Sequence, residues 1–397
     1  MAVALTVPPP YTLGKSAVHL LVGIMYHMNH QSLNFAFKLK QECGDPSVLG
    51  PDKQTSSLNT INLVDNHLNV AGIPSQKNSS QKNVEEFFLL GISDIHELQI
   101  LFYLLFLLFY LITMVGNASI IVIIRVEPRL QTPMYFFLTN LSFIDMCYSS
   151  VTVPKILVNL LAEKKLISFG GCIAQMYFFH ILASSEMFLL VVMAYDRYVA
   201  ICNPLRYPVI INKMTSVQLA AAAWLGGFVH STLHTMLMLR LSFCGPNEIN
   251  HFFCDATPLL KLSCSDTTLD EILLLTTPGI LGPTCFLLIL ISYSYIINNI
   301  LKISSAEGRQ KTFSTCASHV IVVTVFYGTG VFVYIQPMSI YSSFNNKFIT
   351  IFYAVITPML NPVIYTLRNK DVKGALKKIL YRNSTTSKTI KIVNIPV

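Results

Sequence analysis

Four polar residues, Asn117, Asp145, Glu186 and Asn361, stand inside long apolar runs. A polar side chain in hydrocarbon is costly unless partnered, so each marks a place where the chain does something besides span a membrane. Two carboxylates and two amides at similar depth suit a small cation or shared protons, or else a purely structural hydrogen-bonded network. Either arrangement gives the core two packings, which a switch requires. Asp196-Arg197 ends the third run, inside Met193-Ala-Tyr-Asp-Arg-Tyr-Val-Ala-Ile-Cys202. Adjacent opposite charges at a helix end can form a lock that opens when the helices rearrange. Cys172 opens the same run 25 residues upstream of Arg197, one membrane crossing at about 1.5 Å per residue. The last run reads Pro358-Met-Leu-Asn-Pro-Val-Ile-Tyr365. Pro362 removes a helical hydrogen bond and bends the helix, while Asn361 and Tyr365, four residues apart, share a face. Catalytic patterns are missing: the histidines are scattered, and no HExxH, GxSxG or zinc-spaced CxxC pair occurs. Neither an enzyme nor a metal or other cofactor is expected.

The elements that must position these groups follow from composition. The chain has 397 residues, of which 53% are hydrophobic and only 12% charged, about half the charge of a soluble protein. Seven apolar stretches reach the roughly 20 residues needed to cross a bilayer, near 99–125, 133–156, 172–197, 216–238, 272–301, 312–336 and 347–367. The expected fold is an all-α membrane protein, a bundle of seven transmembrane helices over 83–368. A cytoplasmic segment follows over 369–397, and its start, with Val372, Ala375, Leu376 and Ile379 at helical spacing between lysines, suits a short amphipathic helix on the lipid surface. The net charge of +8 is spread over short connectors rather than gathered in a patch, so no nucleic-acid partner is expected.

Lys and Arg set the orientation. Arg125, Arg129, Arg206, Lys213, Lys302, Arg309, Lys311 and Arg368 share one side, and acids such as Glu163, Glu248 and Asp270 the other. The positive-inside rule puts the N-terminus outside and the C-terminus in the cytoplasm of a multi-pass plasma-membrane protein. Cys172, Cys244, Cys254 and Cys264 then share the oxidising side. Of the sequons at Asn78, Asn117, Asn140 and Asn383, only Asn78 falls where a sugar is attached. Residues 1–82 are polar and without period, and are read as an extracellular, disordered extension. Their apolar patch at Val18–Met25 lacks the flanks of a signal peptide.

Longer strings narrow the class. Thr132-Pro-Met-Tyr-Phe-Phe-Leu-Thr-Asn-Leu-Ser142, the string around Asp196-Arg197 followed by Asn203-Pro-Leu-Arg-Tyr207, Lys311-Thr-Phe-Ser-Thr-Cys-Ala-Ser-His319, and Pro358 through Lys370 are joined by cysteines ten residues apart around His251-Phe-Phe-Cys-Asp255. Over roughly 83–380 the chain resembles a rhodopsin-like G-protein-coupled receptor, and within that group an odorant receptor of the terrestrial-vertebrate class. It departs from the family's usual residues at Gln131, Asn203, Arg206 and Thr312, all toward the cytoplasmic face, and in the length of its N-terminal segment.

The resemblance implies disulfides Cys172–Cys254 and Cys244–Cys264. It implies a switch in which Arg197, Tyr293, His319 and Tyr365 rearrange to open a cleft for a heterotrimeric, olfactory stimulatory G protein that raises cyclic AMP; Asp196, Tyr198, Asn361 and Pro362 belong to the same motifs. It also places a pocket for a small-molecule odorant in the outer half of the bundle. Helix 3 offers Phe179, His180, Ala183, Ser184 and Met187, and helix 5 offers Thr277 and Leu281. Helix 6 adds Tyr327, Val331 and Tyr334, and helix 7 adds Ile351 and Ala354. Each apolar residue among them has plain helix packing as an equal reading. The lining suits a hydrophobic molecule with one polar function, and the absence of an acid at Phe179 disfavours a cationic amine. A rhodopsin-like receptor for a non-odorant small molecule is the alternative. A seven-span transporter would call for an internal repeat, and none is visible.

Overall fold

The computed structural model describes residues 84–378, apart from short stretches at 94, 245–246, 277–279, 335–346, 348–349 and 370. The expected extension 1–82, its sequon at Asn78 and the end of the tail lie outside the described residues. Helices α1 (His96–Val126), α2 (Pro133–Leu161), α3 (Phe169–Cys202), α4 (Lys213–Leu239), α5 (Gly282–Leu301) and α6 (Ala306–Tyr334) follow in order, and α7 (Thr357–Arg368) ends the bundle. Side chains place the starts. Ser168 Oγ accepts from Gly171 N–H at 3.2 Å to cap α3, and Asn212 Oδ1 accepts from Thr215 N–H at 2.9 Å to cap α4, satisfying donors that a helix start leaves over.

α3 is the hub, packed by α2, α4 and α5, while α7 closes against α1, α2 and α6. Phe137, Leu141 and Ile144 of α2 are buried with Leu189, Leu190 and Ala194 of α3. Leu104, Leu108, Leu111, Val115 and Val122 of α1 are exposed, an outward apolar face that only lipid or another protein can cover. By length and composition α1, α2, α3 and α5 each qualify to cross a membrane. The 27-residue α4 is long enough, yet Gln218, His230 and His234 lower its hydropathy, while Ala220 to Ala223 and Gly226-Gly227 give it a run of small residues. Small residues of this kind let membrane helices approach closely.

Helix 5 was expected as one run at 272–301, of which residues 277–279 lie outside the described residues. It is described as a nine-residue helix Thr268–Thr276 and then α5 from Gly282. In helix 7 the helical residues Thr350 and Ile351 lead into a π-helical turn over Phe352–Ile356, where Thr357 Oγ1 donates to the Phe352 carbonyl at 3.0 Å. Beyond α7, residues 371–378 are helical. Asn369 Oδ1 accepts from the Asp371 and Val372 N–H groups at 3.0 and 3.2 Å, Val372 is buried, and Lys378 Nζ bonds Glu127 Oε2 at 2.9 Å.

A small sheet, unforeseen in an all-α reading, caps the end of the bundle that carries the disulfides. β1 (Glu86–Leu89) lies between β2 (Leu166–Ser168), antiparallel with Phe87 opposite Ile167, and β3 (Glu248–Ile249), parallel with Leu89 opposite Ile249. Phe87 and Leu89 alternate inward with outward Glu86 and Phe88, the period of two that a half-buried strand requires. Gly91, at φ +72°, turns the chain out of β1 in a conformation that side chains resist.

Candidate ligand chamber and switch

The cap is fastened to α3. Cys172 is joined to Cys254, and Cys244 to Cys264. Beside the first bond, Gln175 Oε1 accepts from the Cys254 N–H at 2.9 Å while its Nε2 donates to the Val151 carbonyl at 2.9 Å. One buried amide thus ties loop, α3 and α2 together. These bonds seat Phe253 on Phe179, ring centroids 5.0 Å apart, and Phe179 also meets Tyr148 at 4.8 Å and Tyr353 at 6.0 Å.

His251, in the same loop, is buried, and the Phe253 N–H donates to its Nδ1 at 3.4 Å. Burial pulls its pKa down to about 4 from an ordinary 6.5, opposed in part by Asp255 and reinforced by Lys347. The folded cap therefore favours the neutral ring, and its stability is full above pH 6.5 and falls as protons are taken up toward pH 4. The loss approaches about 3 kcal/mol at the acid end. The melting temperature of purified receptor should drop between pH 7 and pH 5, and His251→Asn, which keeps the acceptor without the titration, should flatten that drop.

Phe179, on which Phe253 sits, lines a cavity of about 120 Å³, comparable with the roughly 150 Å³ cavities that hold a benzene ring. Phe179, His180, Ala183, Ser184 and Met187 of α3 line it, with Tyr327 of α6. Leu281, Ile351 and Ala354 are buried but stand behind the described wall; Leu274, Gly282 and Tyr353 take their places. Tyr353 belongs to the π-helical turn of helix 7. Thr277 and the side chains of Val331 and Tyr334 lie outside what is described. Tyr148, Phe326 and Gly330 complete the apolar wall.

One side of the wall is polar and comes from α4, which the sequence reading left out. His230 and His234 line the cavity beside His180. The His180 and His234 rings are parallel within 3° at 5.9 Å, and His230 and His234 lie 4.5 Å apart. Ser184 Oγ is 2.9 Å from His230 Nδ1. His180 Nδ1 is 2.8 Å from the Met176 carbonyl, which can only accept, so that nitrogen carries the proton and Nε2 is the basic one. The signal was His230-Ser-Thr-Leu-His234, two imidazoles four residues apart on one helical face.

Below the chamber the Tyr327 hydroxyl donates to the Met187 carbonyl at 3.0 Å, joining α6 to α3. Beside this contact, at Glu186, the intramembrane polar residues converge. Asn361 Nδ2 donates to Asp145 Oδ1 and Oδ2 at 3.0 and 3.1 Å and reaches Glu186 Oε1 at 3.5 Å. Asn117 Nδ2 donates to the Thr113 and Pro358 carbonyls at 3.1 and 3.2 Å, tying α1 to the bend of α7. At the far end Tyr293 Oη lies 2.8 Å from His319 Nδ1, and Arg197 is close enough to act electrostatically on Tyr293, His319 and Tyr365. The Tyr365 hydroxyl is buried without a hydrogen-bond partner among the described residues. Asp196 is held by the Tyr207 hydroxyl at 2.8 Å, so the partner of this acid comes from the connector after α3 as well as from any lock with its neighbour. Tyr198 meets Tyr295 of α5 with ring centroids 5.8 Å apart and planes tilted by 60°.

A seven-helix bundle with a disulfide-capped chamber at one end and an Arg197 cluster at the other defines a rhodopsin-like receptor rather than an enzyme. The olfactory receptor family profile matches residues 106–383. Mouse olfactory receptor 5AP2 is 51% identical over 305 residues, 77% of this chain and 96% of the relative. Human olfactory receptor 5I1 is 52% identical over 297 residues, 75% and 95% of the two chains. The dog olfactory receptor-like protein OLF1 is 51% identical over 295 residues, 74% and 95%. The chain belongs to the olfactory receptor family, multi-pass receptors of the plasma membrane.

Proposed function

We propose that this receptor binds a small, mostly hydrophobic volatile molecule in the chamber and in response activates a heterotrimeric G protein of the olfactory stimulatory type, raising cyclic AMP. Its N-terminus is outside and its C-terminus in the cytoplasm, because the connectors at the Arg197 end carry the Lys and Arg. Asn78 bears the sugar, and the helix over 371–378 lies along the inner leaflet, with Val372 and Ala375 buried against the bundle. Asp145, Glu186, Asn361 and Asn117 hold a shared proton or small cation, since two buried carboxylates beside one amide need a positive partner.

The observation that carries this reading is the bond from Tyr327 to the Met187 carbonyl, 3.0 Å long and directly under the chamber. A ligand that displaces Tyr327 frees α6 from α3. α6 also carries His319, whose partner Tyr293 is on α5. Movement of α6 breaks that pair and gives Tyr293, Tyr365 and Arg197 new partners, with Asp196, Tyr198 and Pro362 at the hinge points. The test is a cyclic AMP reporter in cells expressing the receptor, screened against a broad odorant panel. A dose-dependent rise is expected, and Arg197→Ala should lower it to background, a loss of roughly a hundredfold or more for a half-buried charged group that hydrogen-bonds in the switch, with surface level unchanged. A response that survives Arg197→Ala would defeat the coupling route.

A further inference from the structure

The histidine wall suggests which volatile molecules fit. We propose that this receptor's ligands are small carboxylic acids, held with the carboxyl group among His180, His234 and His230 and the hydrocarbon against Phe179, Met187 and Tyr327. The assignment rests on the reading of the chamber as the ligand site.

Three imidazoles share one side of a cavity of about 120 Å³ whose described lining has no Asp, Glu, Lys or Arg. A cation in such a place is costly unless an anion accompanies it. A carboxylic acid brings both halves. Its O–H bond breaks, the proton forms an N–H bond on His180 Nε2, and the carboxylate stays beside the ring. If the acid arrives as the anion, water supplies the proton. The bound state in both cases is one carboxylate, one imidazolium and no net charge. The parallel placement of His234 at 5.9 Å and of His230 4.5 Å beyond it offers further nitrogen atoms near the second carboxylate oxygen. An alcohol or aldehyde has one polar atom and needs only one ring. A metal ion is the other group that imidazoles hold, but among the described residues no three His, Cys, Asp or Glu are placed to bind one. The size limits the hydrocarbon to about that of a benzene ring or a medium chain.

The test uses the full-length receptor in the cyclic AMP reporter assay. The probes are hexanoic, heptanoic, octanoic and benzoic acids, each beside its alcohol, aldehyde and methyl ester. Each acid that fits should be more potent than its neutral partners by roughly tenfold to a hundredfold, the range of a charge-assisted hydrogen bond. His180→Phe and His234→Phe should erase that preference. Where phenylalanine lowers surface level, His180→Gln, which keeps hydrogen bonding without taking a proton, gives the same readout. Neutral partners that match the acids, a response that needs added copper, or silence toward every acid with receptor at the surface would overturn the proposal. Labelling of Ala183→Cys by a methanethiosulfonate reagent, compared with the unsubstituted receptor, separates the two readings. If Cys at 183 is labelled while the acids are silent, the chamber stands and the acid assignment falls. If it is not labelled, the chamber reading falls as well.

Discussion

Replacing Gly227 with valine is expected to strip the receptor from the cell surface. Gly227 is where α4 presses on α3: a Cβ there would meet Ser185 Oγ, and would come within 2.6 Å of the Ile181 carbonyl oxygen and 2.9 Å of the Ser185 nitrogen. Two of these neighbours are backbone and cannot rotate away, so α3 and α4 must separate. Overpacking of a tight core costs about 1–3 kcal/mol and more where backbone has to shift, and most of the bundle's interior leans on α3. Gly328 of α6 is the control, since nothing lies within 4 Å of its would-be Cβ. Flow cytometry of an N-terminal tag should show Gly227→Val at near background, Gly227→Ala reduced, and Gly328→Ala close to the parent. Normal surface levels of Gly227→Val would mean that α3 and α4 do not meet as described.

Loss of Cys254 ranks second. The bond to Cys172 closes a segment of 82 residues, against 20 for Cys244–Cys264. On the chain-entropy account the longer loop contributes about 4–5 kcal/mol and the shorter about 3 kcal/mol. Breaking the longer one also releases Phe253 from Phe179 and with it the roof of the chamber. Cys254→Ser is expected to abolish odorant responses and lower thermal stability more than Cys264→Ser. The double variant Cys172→Ser/Cys254→Ser should be no worse than either single one, because both remove the same bond. Additive losses would show that each cysteine matters for a different reason.

Most of the bundle was legible because a membrane span is written in composition. About twenty apolar residues between polar connectors is a strong pattern, and the motifs around Arg197 and Asn361 fix which helix is which. The chamber was legible only in part. Phe179 through Met187 could be brought to one wall because α3 is an unbroken α-helix over Phe169–Cys202. In place of Ile351 and Ala354 the wall carries Tyr353, a residue of the π-helical turn Phe352–Ile356, and such a turn leaves no compositional trace. His230 and His234 were passed over for a different reason: whether α4 faces the pocket depends on how closely it approaches α3, and that closeness is set by glycines whose effect appears only in three dimensions. The sheet was hidden by its brevity, since four residues of Glu-Phe-Phe-Leu carry too little alternation to separate a strand from a helix start.

The position of β1 has a mechanical consequence. Because it is the central strand, gripped by β2 on one edge and β3 on the other, the leading segment of the chain is spliced into the lid rather than hung from the first span. Tension applied at residue 84 would pass into the Cys172 segment and the Cys254 loop together before it reached α1. A dye attached there would act as a strain gauge for the roof over the chamber, brightening or dimming as the lid shifts, without any label inside the membrane.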